Sequence, residues 1–125
     1  MRIQIGKYAG FCFGVDRAVR LVEEAAGKGD PVQTLGPIIH NHHVVERLAR
    51  MGVEAVEDPT LVRPGGTVVL RAHGVPRDVE EALSRMPVRV VDATCPFVKR
   101  IHRLVQEAEA EGRVPVIIGS RIHPE

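Results

Sequence analysis

The feature that most constrains this chain is a repeated unit: a short β-branched run, a turn rich in glycine or proline, and then an amphipathic helix. Strands are predicted on this basis at 3–8, 32–35, 53–56, 67–71, 88–91 and 114–118. Strands that alternate with helices are joined by crossovers and lie parallel to one another. The sequence therefore predicts an α/β fold, with a parallel sheet flanked by helices on its faces.

Cysteine or histidine residues recur just past the carboxyl ends of these predicted strands. The residues placed in this way are Cys12, His40, His73, Cys95 and His123. Ligands of open α/β sheets bind at that edge, where glycine-containing turns and helix N-termini also offer backbone N–H groups to an anion. We therefore expect two thiols and three imidazoles to converge on one cleft.

Cys95 lies where a predicted strand becomes a helix that begins at Pro96. The positive end of a helix dipole favours a thiolate, the form that binds metals and acts as a nucleophile. A single free cysteine is more often an inert, small apolar residue, so the repetition of the pattern carries the prediction.

The other histidines receive a different interpretation. His42 and His43 fall inside the helix that follows Asn41, where they are expected to be solvated or to pack. A zinc site built from them with His40 would lack the i, i+4 spacing that places two ligands on one helical face. His102 lies within a helix and is expected to have no chemical role.

Composition excludes several classes of partner. The chain has 125 residues, 44% of them apolar, with a net charge of +1 and only 3% aromatic residues. This balance indicates a soluble globular protein and argues against nucleic-acid binding or a membrane span. Two cysteines and no recognisable export signal predict free thiols or metal ligands in a cytoplasmic protein, rather than a disulfide framework.

The residues alone leave several functions open. Thiolates select zinc, copper(I) or iron–sulfur centres, and two cysteines cannot complete an all-cysteine cluster. One alternative is an anion-binding α/β module without redox chemistry, and another is a zinc protein that uses Cys12, Cys95 and histidines. A dinucleotide-dependent dehydrogenase is disfavoured, because no G-x-G-x-x-G follows the first predicted strand.

Five short motifs carry a resemblance to a known family. They are Gly10-Phe11-Cys12-Phe13-Gly14-Val15, Ile39-His40-Asn41, Ala72-His73-Gly74-Val75, Asp92-Ala93-Thr94-Cys95-Pro96 and His123-Pro124-Glu125. In these motifs the chain resembles the 4-hydroxy-3-methylbut-2-enyl diphosphate reductases of the methylerythritol phosphate route to isoprenoids. The resemblance implies a cloverleaf of three α/β units around an iron–sulfur cluster. Residues 1–95 would form the first unit, with a strand in 1–13 leading to the cluster cysteine, and 96–125 would open the second.

The resemblance also implies a cofactor. Cys12 and Cys95 match two of the three family cysteines that hold a [4Fe–4S] cluster, whose fourth iron has no protein ligand and binds the substrate hydroxyl. The third cysteine would lie beyond Glu125. We therefore expect the chain to be an N-terminal fragment that cannot hold an intact cluster alone.

Substrate and catalytic roles follow from the same resemblance. His40, His73 and His123 match the family histidines that bind the diphosphate, and Glu125 matches the carboxylate that delivers protons. The implied reaction is a two-electron reductive removal of the allylic hydroxyl as water, giving isopentenyl and dimethylallyl diphosphates. Electrons would come singly from a ferredoxin or a flavodoxin.

Overall fold

The computed structural model describes residues 1–119. Over this range the chain forms four helices, four strands and one 3₁₀ turn. In chain order they are α1 (Phe13–Ala26), β1 (Val32–Leu35), α2 (His42–Arg50), β2 (Glu54–Val56), the 3₁₀ turn (Pro59–Leu61), β3 (Thr67–Leu70), α3 (Arg77–Ser84), β4 (Arg89–Asp92) and α4 (Pro96–Ala110).

The four strands form one parallel sheet in the order β2-β1-β3-β4. From β1 the chain moves outward to β2 and then returns past β1 to β3, so the direction of winding reverses between β1 and β3. In open α/β sheets the carboxyl ends of strands at such a reversal are the position where ligands bind. The predicted fold class, a parallel sheet flanked by helices, is confirmed.

Apolar side chains pack on both faces of the sheet. On one face Val69 of β3 packs with the apolar sides of α1 and α2, including Val22 and Leu48. On the other face Val68 and its neighbour two residues on, Leu70, pack with residues that include Leu83 of α3. Because successive strand residues point to opposite faces, β3 is buried on both sides and forms the rigid centre of the domain.

Two predicted strands are absent from the structure. Residues 3–8 and 114–118 form no strand, although residues 3–5 alternate apolar and polar and residues 116–118 are a β-branched apolar run. Their isoleucines and valines are 74–98% exposed. A strand requires a neighbour to accept its backbone hydrogen bonds, and within residues 1–119 neither segment has one. The prediction of strands at 3–8 and 114–118 was therefore wrong for this structure.

Helix α4 is less buried than the other long helix. Val98 is its one buried residue, whereas Phe97, Ile101 and Leu104 are 71%, 53% and 54% exposed.

Among residues 1–119, no helix combines the length and the apolar composition needed to cross a bilayer.

Candidate functional site at the carboxyl edge of the sheet

Three turns at the carboxyl edge of the sheet are joined by backbone hydrogen bonds that continue beyond the strands. The N–H of Ala72, after β3, donates to the carbonyl of Ile38, after β1, at 3.2 Å. The N–H of Cys95, after β4, donates to the carbonyl of Ala72 at 2.9 Å. The three turns therefore hold a fixed register, and the residues they carry are placed by the sheet.

His40 and His73 meet at the point where the winding reverses. His40 follows β1, His73 follows β3, and their rings stack with centroids 4.8 Å apart and planes inclined by 20°. Nearby, the side-chain oxygen of Asn41 accepts the N–H of Val44 at 3.3 Å and caps α2, as the sequence predicts. The two imidazoles thus lie together beyond the carboxyl ends of β1 and β3, the position where ligands of such sheets bind.

Cys12 and Cys95 have equivalent places, because each is the N-cap residue of a helix, α1 and α4 respectively. Pro96 occupies the first turn of α4, as predicted. The two helix starts are close together: a Cβ built on Gly14 would lie 2.5 Å from the Cys95 sulfur. Gly14 is the second residue of α1, where its missing side chain admits Cys95.

The β4–α4 turn is fixed by polar contacts. The Oδ1 atom of Asp92 accepts the N–H of Thr94 at 2.8 Å, and its other carboxylate oxygen pairs with Lys99 of α4. Burial alone would raise the pKa of Asp92, but the hydrogen bonds from Lys99 and Thr94 outweigh it and hold the pKa below its ordinary value. Asp92 is therefore a structural carboxylate that shapes the turn before Cys95.

Gly74, which follows His73, packs closely against the turn that carries Cys95. Its φ of +80° belongs to the left-handed region, and a Cβ there would lie 3.0 Å from His102 Cε1 and 3.2 Å from Thr94 Cγ2. His102 of α4 consequently packs against the turn that carries His73. This contact gives His102 a place beside the site that the sequence analysis did not expect.

The structure brings together four of the six residues singled out from the sequence. Cys12, His40, His73 and Cys95 all lie at the carboxyl edge, and their chemical roles stay predictions. The other two, His123 and Glu125, lie outside the described residues. His42 and His43 are exposed on α2, with ring centroids 3.8 Å apart, in keeping with a solvated position.

Sequence reasoning missed Arg17. Its guanidinium donates to the carbonyls of Thr94 and Asp92, at 3.3 and 3.4 Å, from the middle of α1. The available signal was its position three residues after Gly14, beside the apolar stripe of α1, where a charged residue needs a partner.

Whether the described residues form a metal site depends on which metal-ligating side chains lie close together in residues 1–119. Within residues 1–119 no group of three or more His, Cys, Asp and Glu side chains is arranged to hold a metal ion. Both cysteines are free thiols, Cys12 exposed and Cys95 partly buried. This part of the chain thus offers two thiols, fewer sulfur ligands than an all-cysteine cluster needs.

The fold and the site define a class: a parallel α/β protein with thiols and imidazoles gathered at the carboxyl edge of its sheet, the position of a ligand-binding or catalytic centre. Residues 3–125 match the family model described as LytB protein. The chain belongs to the LytB protein family, and the resemblance drawn from its motifs is confirmed.

Curated relatives carry the name 4-hydroxy-3-methylbut-2-enyl diphosphate reductase. The protein from Geobacter sp. (strain M21) is 50% identical over 125 residues, which is 100% of this chain and 44% of that protein. The protein from Aquifex aeolicus (strain VF5) is 46% identical over 124 residues, 98% of this chain and 43% of that protein. The chain therefore spans less than half the length of these relatives.

Two solved structures that align with this chain have similar names. One is an (E)-4-hydroxy-3-methyl-but-2-enyl diphosphate reductase, described as the terminal enzyme of the non-mevalonate pathway. It aligns with a TM-score of 0.83 at 46% identity, over 98% of this chain and 43% of its own. The E-1-hydroxy-2-methyl-but-2-enyl-4-diphosphate reductase from Plasmodium falciparum aligns with a TM-score of 0.88 at 32% identity, over 94% of this chain and 37% of its own.

Proposed function

We propose that this chain provides two cluster ligands and part of the diphosphate pocket of a 4-hydroxy-3-methylbut-2-enyl diphosphate reductase. The observation that carries the proposal is the close approach of Gly14, two residues after the N-cap Cys12, to Cys95, the N-cap of α4. The stacked pair of His40 and His73 lies in the turns hydrogen-bonded to that of Cys95. Membership of the LytB protein family supports the same assignment.

The cofactor in this proposal is a [4Fe–4S] cluster, with Cys12 and Cys95 as two of its three cysteine ligands. Two thiols with no third ligand in residues 1–119 fit this arrangement, in which a further cysteine comes from the part of the relatives that this chain does not span. When bound, the cluster supplies electrons one at a time and an iron with an open coordination position. The helix N-termini at both cysteines favour the negative charge of such a thiolate-ligated centre.

The remaining residues act on the substrate. His40 and His73, with His123, bind the diphosphate as hydrogen-bond donors to its oxygens. Glu125 gives a proton to the departing hydroxyl. The reaction breaks the allylic C–O bond, consumes two electrons and two protons, and releases water together with isopentenyl or dimethylallyl diphosphate. A ferredoxin or flavodoxin delivers the electrons, and the enzyme works in the cytoplasm.

The proposal includes a division of the chain. Residues 1–95 form the first of three α/β units around the cluster, and 96–125 open the second. The low burial of α4, which begins at Pro96, supports a boundary at this point, because a helix belonging to the first unit would cover its apolar residues there.

The test is anaerobic reconstitution with iron and sulfide, with bound iron and visible absorption as readouts. We expect no stable cluster on the 125-residue chain alone, and a cluster when a polypeptide covering the remainder of a relative is added. Cys12→Ser and Cys95→Ser each abolish it, while the matched substitution Ser84→Ala, at the exposed end of α3, leaves it intact. Stable iron binding by the chain alone, or full binding by either cysteine variant, would contradict the proposal.

The alternative is an anion-binding module without redox chemistry. It is favoured by the absence of a complete metal-ligand group in residues 1–119 together with the N-termini of α1 and α4, which have no side-chain cap on their N–H groups. It predicts that inorganic diphosphate binds equally well to the chain and to its Cys12→Ser and Cys95→Ser variants. It also predicts that the mixture with the remainder stays colourless after treatment with iron and sulfide.

A further inference from the structure

Helix α1 contacts the β4–α4 turn through two residues that lie one helical turn apart, Gly14 and Arg17. Positions i and i+3 share one face of a helix, so both residues face the turn that ends at Cys95. The two cysteines of the chain are separated by most of its length, and this contact is what fixes the start of α1 against the start of α4. The pair is called the α1 clamp below.

Gly14 sets how closely the two helix starts approach. A Cβ at this position would lie 2.5 Å from the Cys95 sulfur, a distance that real Cβ atoms essentially never show, and a tight 3.0 Å from the Cys95 Cβ. Gly14 is buried and helical, and alanine is the better helix former at such a position. The absence of a side chain is therefore explained by the approach of Cys95 and not by the needs of the helix.

Arg17 sets the orientation of α1 on the turn. One guanidinium nitrogen donates to the carbonyl of Thr94 at 3.3 Å and the other to the carbonyl of Asp92 at 3.4 Å. These carbonyls belong to the residues one and three positions before Cys95 and lie at sequence separations of 77 and 75 from Arg17. A planar guanidinium can reach both acceptors at once, which a lysine ammonium on its flexible stem does less well.

We propose that Gly14 and Arg17 are positioning residues that hold the Cys12 and Cys95 thiols at a fixed separation before any metal binds. The purpose of that preorganisation rests on the proposed function, because a cluster ligated by both thiols binds most tightly to a site that needs no rearrangement. The arrangement itself depends only on contacts within this chain. It is therefore open to a test in which neither iron nor substrate takes part.

The experiment measures how fast the short reagent dibromobimane bridges the two thiols and becomes fluorescent. The chain contains two cysteines, so an intramolecular bridge reports this pair alone, and electrophoresis separates chains joined to one another. Parallel labelling with monobromobimane corrects for the reactivity of each thiol. The variants are Arg17→Ala, Arg17→Lys and Gly14→Ala. Their controls on the same helix are Arg20→Ala, which removes an exposed arginine, and Gly27→Ala at the C-cap, where a Cβ has ordinary room.

We expect Arg17→Ala, which removes both hydrogen bonds, to slow the corrected bridging rate by about tenfold or more. Arg17→Lys recovers part of that rate. Gly14→Ala slows bridging to a similar extent while circular dichroism shows helix content equal to or above that of the parent chain. Both control variants bridge at the parental rate.

Three results would overturn the proposal. The first is bridging in the parent chain that is no faster than in the urea-unfolded chain, and the second is a parental rate in folded Gly14→Ala. The third is a loss of rate in Arg20→Ala equal to that in Arg17→Ala. If Arg17→Ala does not fold, Gly14→Ala and Arg17→Lys still decide the question. Failure of cluster assembly with normal variant effects on bridging would refute the proposed function and leave the α1 clamp standing.

Discussion

Replacing Gly74 by alanine tests whether the His73 turn is held against α4. The perturbation has two separable parts. Alanine at φ +80° adopts the left-handed conformation at a cost of about 1–2 kcal/mol. The new Cβ also lies 3.0 Å from His102 Cε1 and 3.2 Å from Thr94 Cγ2, so both side chains must move. Overpacking of this kind costs about 1–3 kcal/mol.

The expected loss in the free energy of unfolding is therefore about 2–5 kcal/mol, the sum of the conformational and packing costs. Gly52 provides the matched control, because its φ is +86° and no described atom lies within 4 Å of a Cβ built there. Gly52→Ala should show the conformational cost alone. The double variant Gly74→Ala/His102→Ala should recover part of the packing cost, since His102 makes the closest contact.

The assay is urea denaturation followed by circular dichroism, which suits a chain with no tryptophan and one tyrosine. The reasoning is refuted if Gly74→Ala is no less stable than Gly52→Ala. It is also refuted if removing the imidazole of His102 costs the same in the Gly74→Ala background as in the parent chain. Either result would mean that His102 of α4 does not pack closely against the turn that carries His73.

Three further changes probe the rest of the edge and the core. Asn41→Ala removes the cap on the N–H of Val44 and should lower the unfolding free energy by about 1 kcal/mol in urea titrations. Leu83→Ala empties a site that is 1% exposed and should cost about 2–5 kcal/mol by the same assay, against about zero for the exposed Ser84→Ala. The pKa of Asp92 in the folded chain is lowered from its ordinary value of 3.8. The stabilisation by its carboxylate is therefore full above 3.8 and is lost as the pH falls from there through the lower, folded-state pKa. Asp92→Asn should accordingly flatten the pH dependence of the urea midpoint in this acid range, and an unchanged slope would contradict the assigned contacts.

Most of the helices and inner strands could be predicted from sequence because local patterning and tertiary packing agree there. The strand at 32–35 and the helix capped by Asn41 have the predicted positions; the strand is buried, as are Val44 and Leu48 of the helix. The segments 3–8 and 114–118 have an equally clear strand pattern. A strand, however, is completed by a neighbour, and the sequence of a segment does not say whether that neighbour lies within the chain described.

The site was predictable to the level of the turn that carries each residue. A parallel sheet places every carboxyl end at one edge, so Cys95 and His73 could be assigned to the same region without knowing the order of the strands. Their actual contacts depend on that order, because β3 lies between β1 and β4 and its turn touches both neighbours. Arg17 was missed because its hydrogen-bond acceptors are backbone carbonyls. Every residue has a backbone carbonyl, so the sequence does not indicate which ones an arginine will reach.

The hydrogen bonds between the turns fix the backbone positions of this edge, although the residues there lie beyond the ends of the strands. Ile38, Ala72 and Cys95 form a short ladder of backbone contacts anchored in the buried strands, so the Cys95 backbone moves only if the sheet moves. Cys12 has no such anchor of its own, since residues 3–8 form no strand in the described structure. Its position depends on how α1 sits against the β4–α4 turn. An edge built in this way fixes one thiol through the sheet and the other through a helix, and the few side chains between them, Gly14 and Arg17, then control their separation.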